Sequence, residues 1–346
     1  MSLILTRTQN LREKSPGLYK YEERASDVGA LNYFLKDSMA VGGILTSSLK
    51  ETAMKSIGST LEVPVINYDS GVSIASSRSV TISDDFNTSA MVTMTFVTYS
   101  WGWTETPSAH LNNEISMQED FEFNYKKYLH KFAKTLDSAC IAALSAAKTQ
   151  VFGDPLVYTT TGNVVHANLD QEMRIFADIG PIMSSNDYYG SIDLIGNMGF
   201  MSLTNRINGY STYNEVNHKY QLNGRELHFS NRISNAADKS ATFYAVNEGS
   251  VGLLYRFEAE ALLKTRARTG HEWDIDRLIG LDIPVSTYYY EDVGDYSADH
   301  GAATAHNTRA VKRFYGFSVD VCFVTAYNSS QSTIASPILA VDIATS

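Results

Sequence analysis

The sequence is poor in cysteine, in proline and in positive charge, and each shortage excludes something. Two cysteines among 346 residues, Cys140 and Cys322, build neither a disulfide framework nor a zinc site. One falls on a helical stripe and the other in a strand pattern. Both therefore read as buried free thiols of a protein made and kept in a reducing cytosol. No apolar run approaches the roughly 20 residues that a membrane span needs. The apolar patch from Met1 to Leu5, ahead of Arg7, is too brief for a signal peptide. Lys and Arg total 28 against 38 for Asp and Glu, a net charge of −10 with no basic block. Such a surface repels phosphate backbones and excludes direct, high-affinity nucleic-acid binding. No G-x-S-x-G, P-loop or G-x-G-x-x-G motif occurs, and neither an internal repeat nor a low-complexity tract is present.

What is there begins with one long helix. Phe121, Tyr125, Tyr128, Leu129, Phe132, Leu136, Ala139, Cys140, Ala143, Leu144 and Ala147 recur at steps of three and four, which draws one apolar stripe. Ser116 with Glu119 three residues on is a capping box, and Glu119, Asp120 and Glu122 crowd the positive end of the helix dipole. Gly153 and Pro155 supply the exit. The spacing predicts one unbroken helix of about 35 residues over 116–153, about 50 Å long. Lys126, Lys127, Lys131 and Lys134 read as its solvated face. An apolar fraction of 44% with 19% charged residues describes an ordered chain, and its length implies two lobes.

Residues 1–25 are polar, with a Pro16-Gly17 break, and read as an extended arm. A short helix from Ser26 or Asp27 through Met39 and another from Thr46 to Ile57 follow. Leu61 to Asp69 reads as an edge strand carrying Pro64. Val72 to Ser83 and Ser89 to Trp101 read as a long β-hairpin turning at Asp84-Asp85-Phe86-Asn87. Beyond the long helix the texture is mixed. Residues 168–179 predict a helix ending at Gly180-Pro181, and 200–207 predict another. Strands are expected at 191–195, 225–229, 241–246, 251–257, 284–290, 313–327 and 334–343, with Glu291 to Ala305 as an acidic surface loop.

That order of elements resembles the major capsid proteins of tailed double-stranded DNA phages, the Hong Kong 97-type fold shared with encapsulin shells. The stretches that carry it are Leu61-Glu62-Val63-Pro64-Val65-Ile66, the helix Phe121–Leu144 and Phe314-Tyr315-Gly316-Phe317-Ser318-Val319-Asp320-Val321. The resemblance spans about residues 18–330 and is one of architecture, since the family has no short diagnostic motif. It implies an α+β chain. Its parts are an N-arm at 1–27, a helical segment of the P domain at 28–56 and an extended E-loop at 57–109. The P domain's spine helix follows within 110–161, then an A domain at 162–300 and closing P-domain strands at 301–346. It further implies a virion protein, assembled in the host bacterial cytoplasm, that packs with itself in hexamers and pentamers. Separate scaffolding, portal and decoration proteins are the implied partners, with DNA enclosed but not read. No scaffolding domain precedes the arm. Expected inter-subunit contacts are Arg78, Asp84, Asp85, Phe86, Glu105, Tyr188, Tyr189, Arg266 and Arg268. No cofactor, metal or catalytic residue is expected.

The residues also offer alternatives. An encapsulin-like compartment is the runner-up within the fold. From a different class, a metal-dependent hydrolase would use Glu272, Asp274 and Asp276, which alternate along one face of a strand. His271-Glu272-Trp273-Asp274-Ile275 opens like a zincin helix, but Ile275 stands where the second histidine should be. Glu291, Asp292, Asp295, Asp299 and His300 form a second acidic group, read as a solvated loop. The 21 tyrosines, with Asp187-Tyr188-Tyr189-Gly190 and Tyr288-Tyr289-Tyr290 beside turns, suit protein contacts as well as core filling.

Overall fold

The stripe forms a helix, and it is shorter than its spacing suggested. The computed structural model describes residues 3–14, 28–40, 43–56, 58–66, 89–107, 116–151, 157–207, 212–214, 219–222, 224–257, 261, 271–281, 283–295, 309–328 and 333–345. In chain order the helices are α1 (Leu3–Lys14), α2 (Gly29–Ser38), α3 (Ser47–Lys55), α4 (Met117–Ala147), α5 (Glu172–Ser185) and α6 (Met198–Ile207). The strands of the first half are β1 (Thr60–Ile66), β2 (Ser89–Thr95), β3 (Val97–Glu105), β4 (Thr159–Thr161) and β5 (Val164–Ala167). Then come β6 (Ile192–Gly196), β7 (Thr212–Asn214), β8 (Lys219–Leu222), β9 (Arg225–Phe229), β10 (Lys239–Asn247) and β11 (Val251–Arg256). The last are β12 (His271–Arg277), β13 (Pro284–Asp295), β14 (Arg309–Thr325) and β15 (Ile338–Ala344). None of these helices is long and apolar enough to cross a membrane.

Helix α4 runs for 31 residues, about 46 Å at 1.5 Å each. Its capping box is made in both directions. The Glu119 amide donates to Ser116 Oγ at 3.2 Å, and the Ser116 amide donates to Glu119 Oε2 at 2.8 Å. The helix stops before Gly153 because strand pairing captures the chain first. The amides of Thr149 and Gln150 both donate to the Ile338 carbonyl, and Gln150 bridges Leu339. Phe121, Tyr125, Leu129, Phe132, Leu136, Cys140 and Leu144 are buried along the stripe, as the spacing predicts.

The chain divides into two units. The first draws on 1–23, 97–135 and 255–321. Its sheet joins β12 to β13, β13 to β14 and β14 to β3, all antiparallel. Trp101 and Trp103 of β3 and Tyr315 and Phe317 of β14 share one face, where Phe121, Tyr125, Tyr128 and Phe132 of α4 pack on them ring to ring. Such pairs contribute about 0.5–1.5 kcal/mol each beyond area burial. The opposite face carries a cross-strand ladder in which His271, Tyr290 and Phe314 stack at 5.1 and 4.1 Å.

The expected arm is instead a helix over residues 3–14; residues 15–27 lie outside the described part. Ile4 and Leu11 are buried, and the charges that made the segment look solvated are consumed by ion pairs. Arg7 Nη1 lies 2.8 Å from Glu105 Oε2, and Arg12 Nη2 lies 2.8 Å from Asp276 Oδ1.

The second unit draws on 24–96, 136–254 and 322–346. Its eight-stranded mixed sheet has the order β4-β5-β15-β10-β6-β9-β8-β7. Ile175, Phe176, Ile179, Ile182 and Met183 of α5, Phe200 and Leu203 of α6, and Leu194, Phe243 and Val341 of the sheet form its core. Each such side chain contributes about 1.5–3 kcal/mol on burial. Gly29 at the start of α2 approaches β9 so closely that a Cβ there would lie 2.4 Å from the Phe229 carbonyl oxygen.

Further expectations are corrected. Helix α5 continues through Pro181 to Ser185, because Ile182 and Met183 belong to the same buried stripe as Ile175 and Ile179. Arg225 supports that turn by donating to the Phe176 carbonyl at 2.8 Å. The predicted strand 89–101 is two strands of different sheets: β2 pairs with β1, and β3 with β14. Phe96 is the switch, buried, with its amide donating to the Ser59 carbonyl at 2.8 Å. Strand β15, expected with the closing P-domain strands, lies between β5 and β10, while β12 and β13, expected in the A domain, pair around β14. The segment from Glu291 to Asp295 is strand, not loop.

Candidate assembly surfaces

The partner of β2 is not the expected segment 72–83, which lies outside the described residues. It is β1, in register from Thr60 opposite Thr95 to Ile66 opposite Ser89. Alternation gives this ribbon two faces. Leu61, Val63 and Met94 turn inward, and with Phe96 they pack on Leu45, Leu49, Ala53, Leu254, Cys322 and Val324. Burial pushes the Cys322 thiol up to about 11, so it remains a packed, protonated group. Glu62, Pro64, Met91 and Thr93 form the outer face and are exposed, Met91 by 58%. Among the described residues the two strands pair with no third. Pro64, which offers no amide, fits a strand without a further partner.

Of the nine contact residues expected from sequence, Arg78, Asp84, Asp85, Phe86, Arg266 and Arg268 lie outside the described residues. Glu105 is not a surface group. It is buried against Arg7, accepts from Tyr315 Oη at 2.9 Å, and sits where the Arg7 guanidinium lies 5.5 Å from the Phe121 and Tyr315 ring centres. Burial, then the Glu105 charge, raises the Tyr315 hydroxyl well above its usual range. Glu105 holds its own unit together. Tyr188 is half-buried, and its hydroxyl donates to the Ile334 carbonyl at 2.5 Å. Tyr189 is 71% exposed and fits the expectation of a surface ring.

Tyr188 and Tyr189 do come together around a cavity of about 270 Å³ at the entry to β6. Ser184 and Gly180 of α5, Ser191, and Arg225 at the start of β9 complete its wall. Sequence reasoning missed Arg225. Its only local signal is the Gly224-Arg225 turn, and its neighbours in the fold are supplied by residues about 40 positions earlier in the chain.

Among the described residues the catalytic alternatives do not form sites; Asp299 and His300 of the second acidic group lie outside them. Strand β12 carries Glu272, Asp274 and Asp276 on one face, but Asp276 is buried, accepting from Thr8 Oγ1 and Arg12 at 2.8 Å each. The three carboxylates do not gather into a cation-sized cluster. His271 lies on a strand, its Nδ1 2.8 Å from Tyr288 Oη, with no helix to supply zincin geometry. Glu291 pairs with Arg313 at 2.9 Å. Asp193, Glu226 and His228 do converge, but the Lys36 ammonium stands among them, 3.0 Å from Asp193 and 2.7 Å from Glu226. Burial alone would lower Lys36; the hydrogen bonds to Glu226 and Asp193 outweigh it and raise it. The counter-charge is already in place.

A further buried carboxylate was invisible in the stripe. Asp137 of α4 is fully buried and accepts from Ser230 Oγ at 2.5 Å and from the Leu31 amide at 2.9 Å, with Arg232 at 3.3 Å. It thereby caps the first turn of α2 from another helix. Desolvation pushes its carboxyl up, against the pull of these partners.

No known family description and no curated protein matches the chain. Solved structures do. The capsid of a native GTA particle is similar at 10% identity and a TM-score of 0.47, covering 89% of this chain and 94% of that one. A cyanophage Pam1 capsid chain is similar at 11% identity and a TM-score of 0.49, covering 85% and 87%. A Mycobacterium phage Che8 chain gives 9% identity and a TM-score of 0.45, covering 86% and 88%. Identities this low transfer no residue role.

Proposed function

We propose that this chain is a structural subunit that assembles with copies of itself into a closed shell around DNA, a major capsid protein of the tailed-phage type. The observation that carries the reading is the β1–β2 ribbon. A two-stranded ribbon is marginal alone in water, and here, among the described residues, its base packs on its own unit while Pro64 and Met91 are exposed. Its outer face, with exposed Met91 and Pro64, needs burial from another chain. The order of arm-side helix, ribbon, long capped helix and mixed sheet supports the same type. So does a net charge of −10, which lets a shell hold DNA without adhering to it.

On this reading the subunits form hexamers and pentamers through repeated contacts with small hinge changes. Scaffolding, portal and decoration proteins act beside them, and assembly takes place in the host bacterial cytoplasm. The hydrolase reading lacks a site, since its carboxylates are held by α1 and their own sheet. Light scattering and negative-stain microscopy of the purified chain test the proposal. Closed shells or ring-shaped capsomers, alone or with a scaffold, are expected. A monodisperse monomer at high concentration in both conditions would overturn it.

A further inference from the structure

The cavity beside Tyr189 is lined by Arg225, which has no counter-charge among the described residues. Arg225 is half-buried, and one guanidinium nitrogen is committed to the Phe176 carbonyl at 2.8 Å. Among the described residues no carboxylate pairs with it, whereas its sequence neighbour Glu226 is taken by Lys36. The guanidinium lies against Gly180, where a Cβ would stand 3.4 Å from Nη2, an ordinary contact. Gly190 and Gly224 border the cavity at φ 126° and 78°, conformations that side chains rarely adopt, and the space above both is open. Ser184 and Ser191 add hydroxyls to the wall, and the exposed Tyr189 ring stands beside them.

A half-buried guanidinium is costly until an anion meets it, and its planar fork matches a carboxylate. Desolvation pulls Arg225 below its usual range. The cavity, about 270 Å³, takes one side chain, not a chain segment. A phosphate backbone would have to approach a surface with ten more acidic than basic residues, 38 against 28. A protein carboxylate carries far less charge with it. Copies of this chain are rich in carboxylates, and bringing them together favours placing one on an unpaired cation. A solvent-exposed tyrosine next to a buried charge is the composition of an interface anchor.

We propose that this cavity is a socket for an aspartate or glutamate side chain from a second copy of the chain, with Arg225 as its ligand and Tyr189 covering it. The proposal rests on the shell reading and adds the site at which one subunit grips the next.

Two variants test it. Arg225→Lys places a primary amine in the socket, and a carbodiimide then joins that amine to a carboxylate in contact with it. Assembling isotope-labelled with unlabelled subunits distinguishes links between copies from links within one. Mass spectrometry should find position 225 joined to an acidic residue of the other isotopic form. Ser184→Glu supplies a carboxylate from within the same cavity. It should lower the yield of assembled particles by about tenfold or more while the free subunit melts as before, because the socket is filled and like charges now face each other. Wild-type particles forming normally, with position 225 unlinked between copies and Ser184→Glu assembling at full yield, would overturn the socket alone. A wild-type chain that never assembles would overturn the shell reading and the socket with it.

Discussion

The variant Leu136→Asp should be found in the insoluble fraction, or should melt without a cooperative transition. Leu136 is completely buried midway along α4. Truncating a buried leucine costs about 2–5 kcal/mol before any charge is considered. The new carboxylate would also have no cation of its own and would adjoin Asp137, whose carboxyl is already buried with its partners fully used. Domain stabilities of about 5–15 kcal/mol leave little room for the sum. Lys127→Asp is the control. Lys127 is exposed, so this variant should fold and melt within about 2 °C of the parent. Circular dichroism melting of the two variants checks the pair. A parent-like transition for Leu136→Asp would refute the stripe as the core-facing side of the helix.

That stripe was legible because a period of three and four residues is a local property, and so were its capping box and the strands at 225–229, 241–246 and 251–257. What the sequence hid was long-range pairing. Arg7 and Arg12 read as solvated charges on an arm because their partners, Glu105 and Asp276, are 98 and 264 residues away. Asp137 drew no reading from the sequence, because Ser230 and Leu31 are 93 and 106 positions distant. Alternation ran unbroken across Phe96, since a period of two records which way side chains point and not which strand lies alongside. Pro181 looked like a stop because local propensity could not weigh the buried Ile182 and Met183 that hold α5 together beyond it. For the candidate surfaces the sequence expected a hairpin of 72–83 with 89–101, whereas 89–95 pairs with 60–66, and Glu105, expected at a surface, is buried.

Shortening the ribbon should separate folding from assembly. Replacing residues 64–91 by Asn-Gly closes the turn directly on the Val63–Val92 pair, with residues suited to a tight hairpin. Leu61, Val63, Met94 and Phe96 keep their packing on Leu45, Ala53 and Val324. The free subunit should therefore melt within about 2 °C of the parent. Closed particles should be absent, because the removed part includes Pro64 and Met91 of the exposed outer face that the proposal assigns to a neighbouring copy. Calorimetry of the free subunit and particle counts by microscopy read the two properties separately. Loss of the cooperative transition would place the outer ribbon in the subunit's own core, and shells at normal yield would remove it from assembly.

The most direct measurement is amide hydrogen exchange along residues 60–66 and 89–95, compared between the free subunit and the assembled particle. If the ribbon's outer face is buried by a second copy, these amides should exchange at least about tenfold more slowly in the particle, while the amides of the α4 core stay slow in both. Equal exchange of the ribbon in the free and assembled states would contradict the claim that this chain completes its fold on its neighbours.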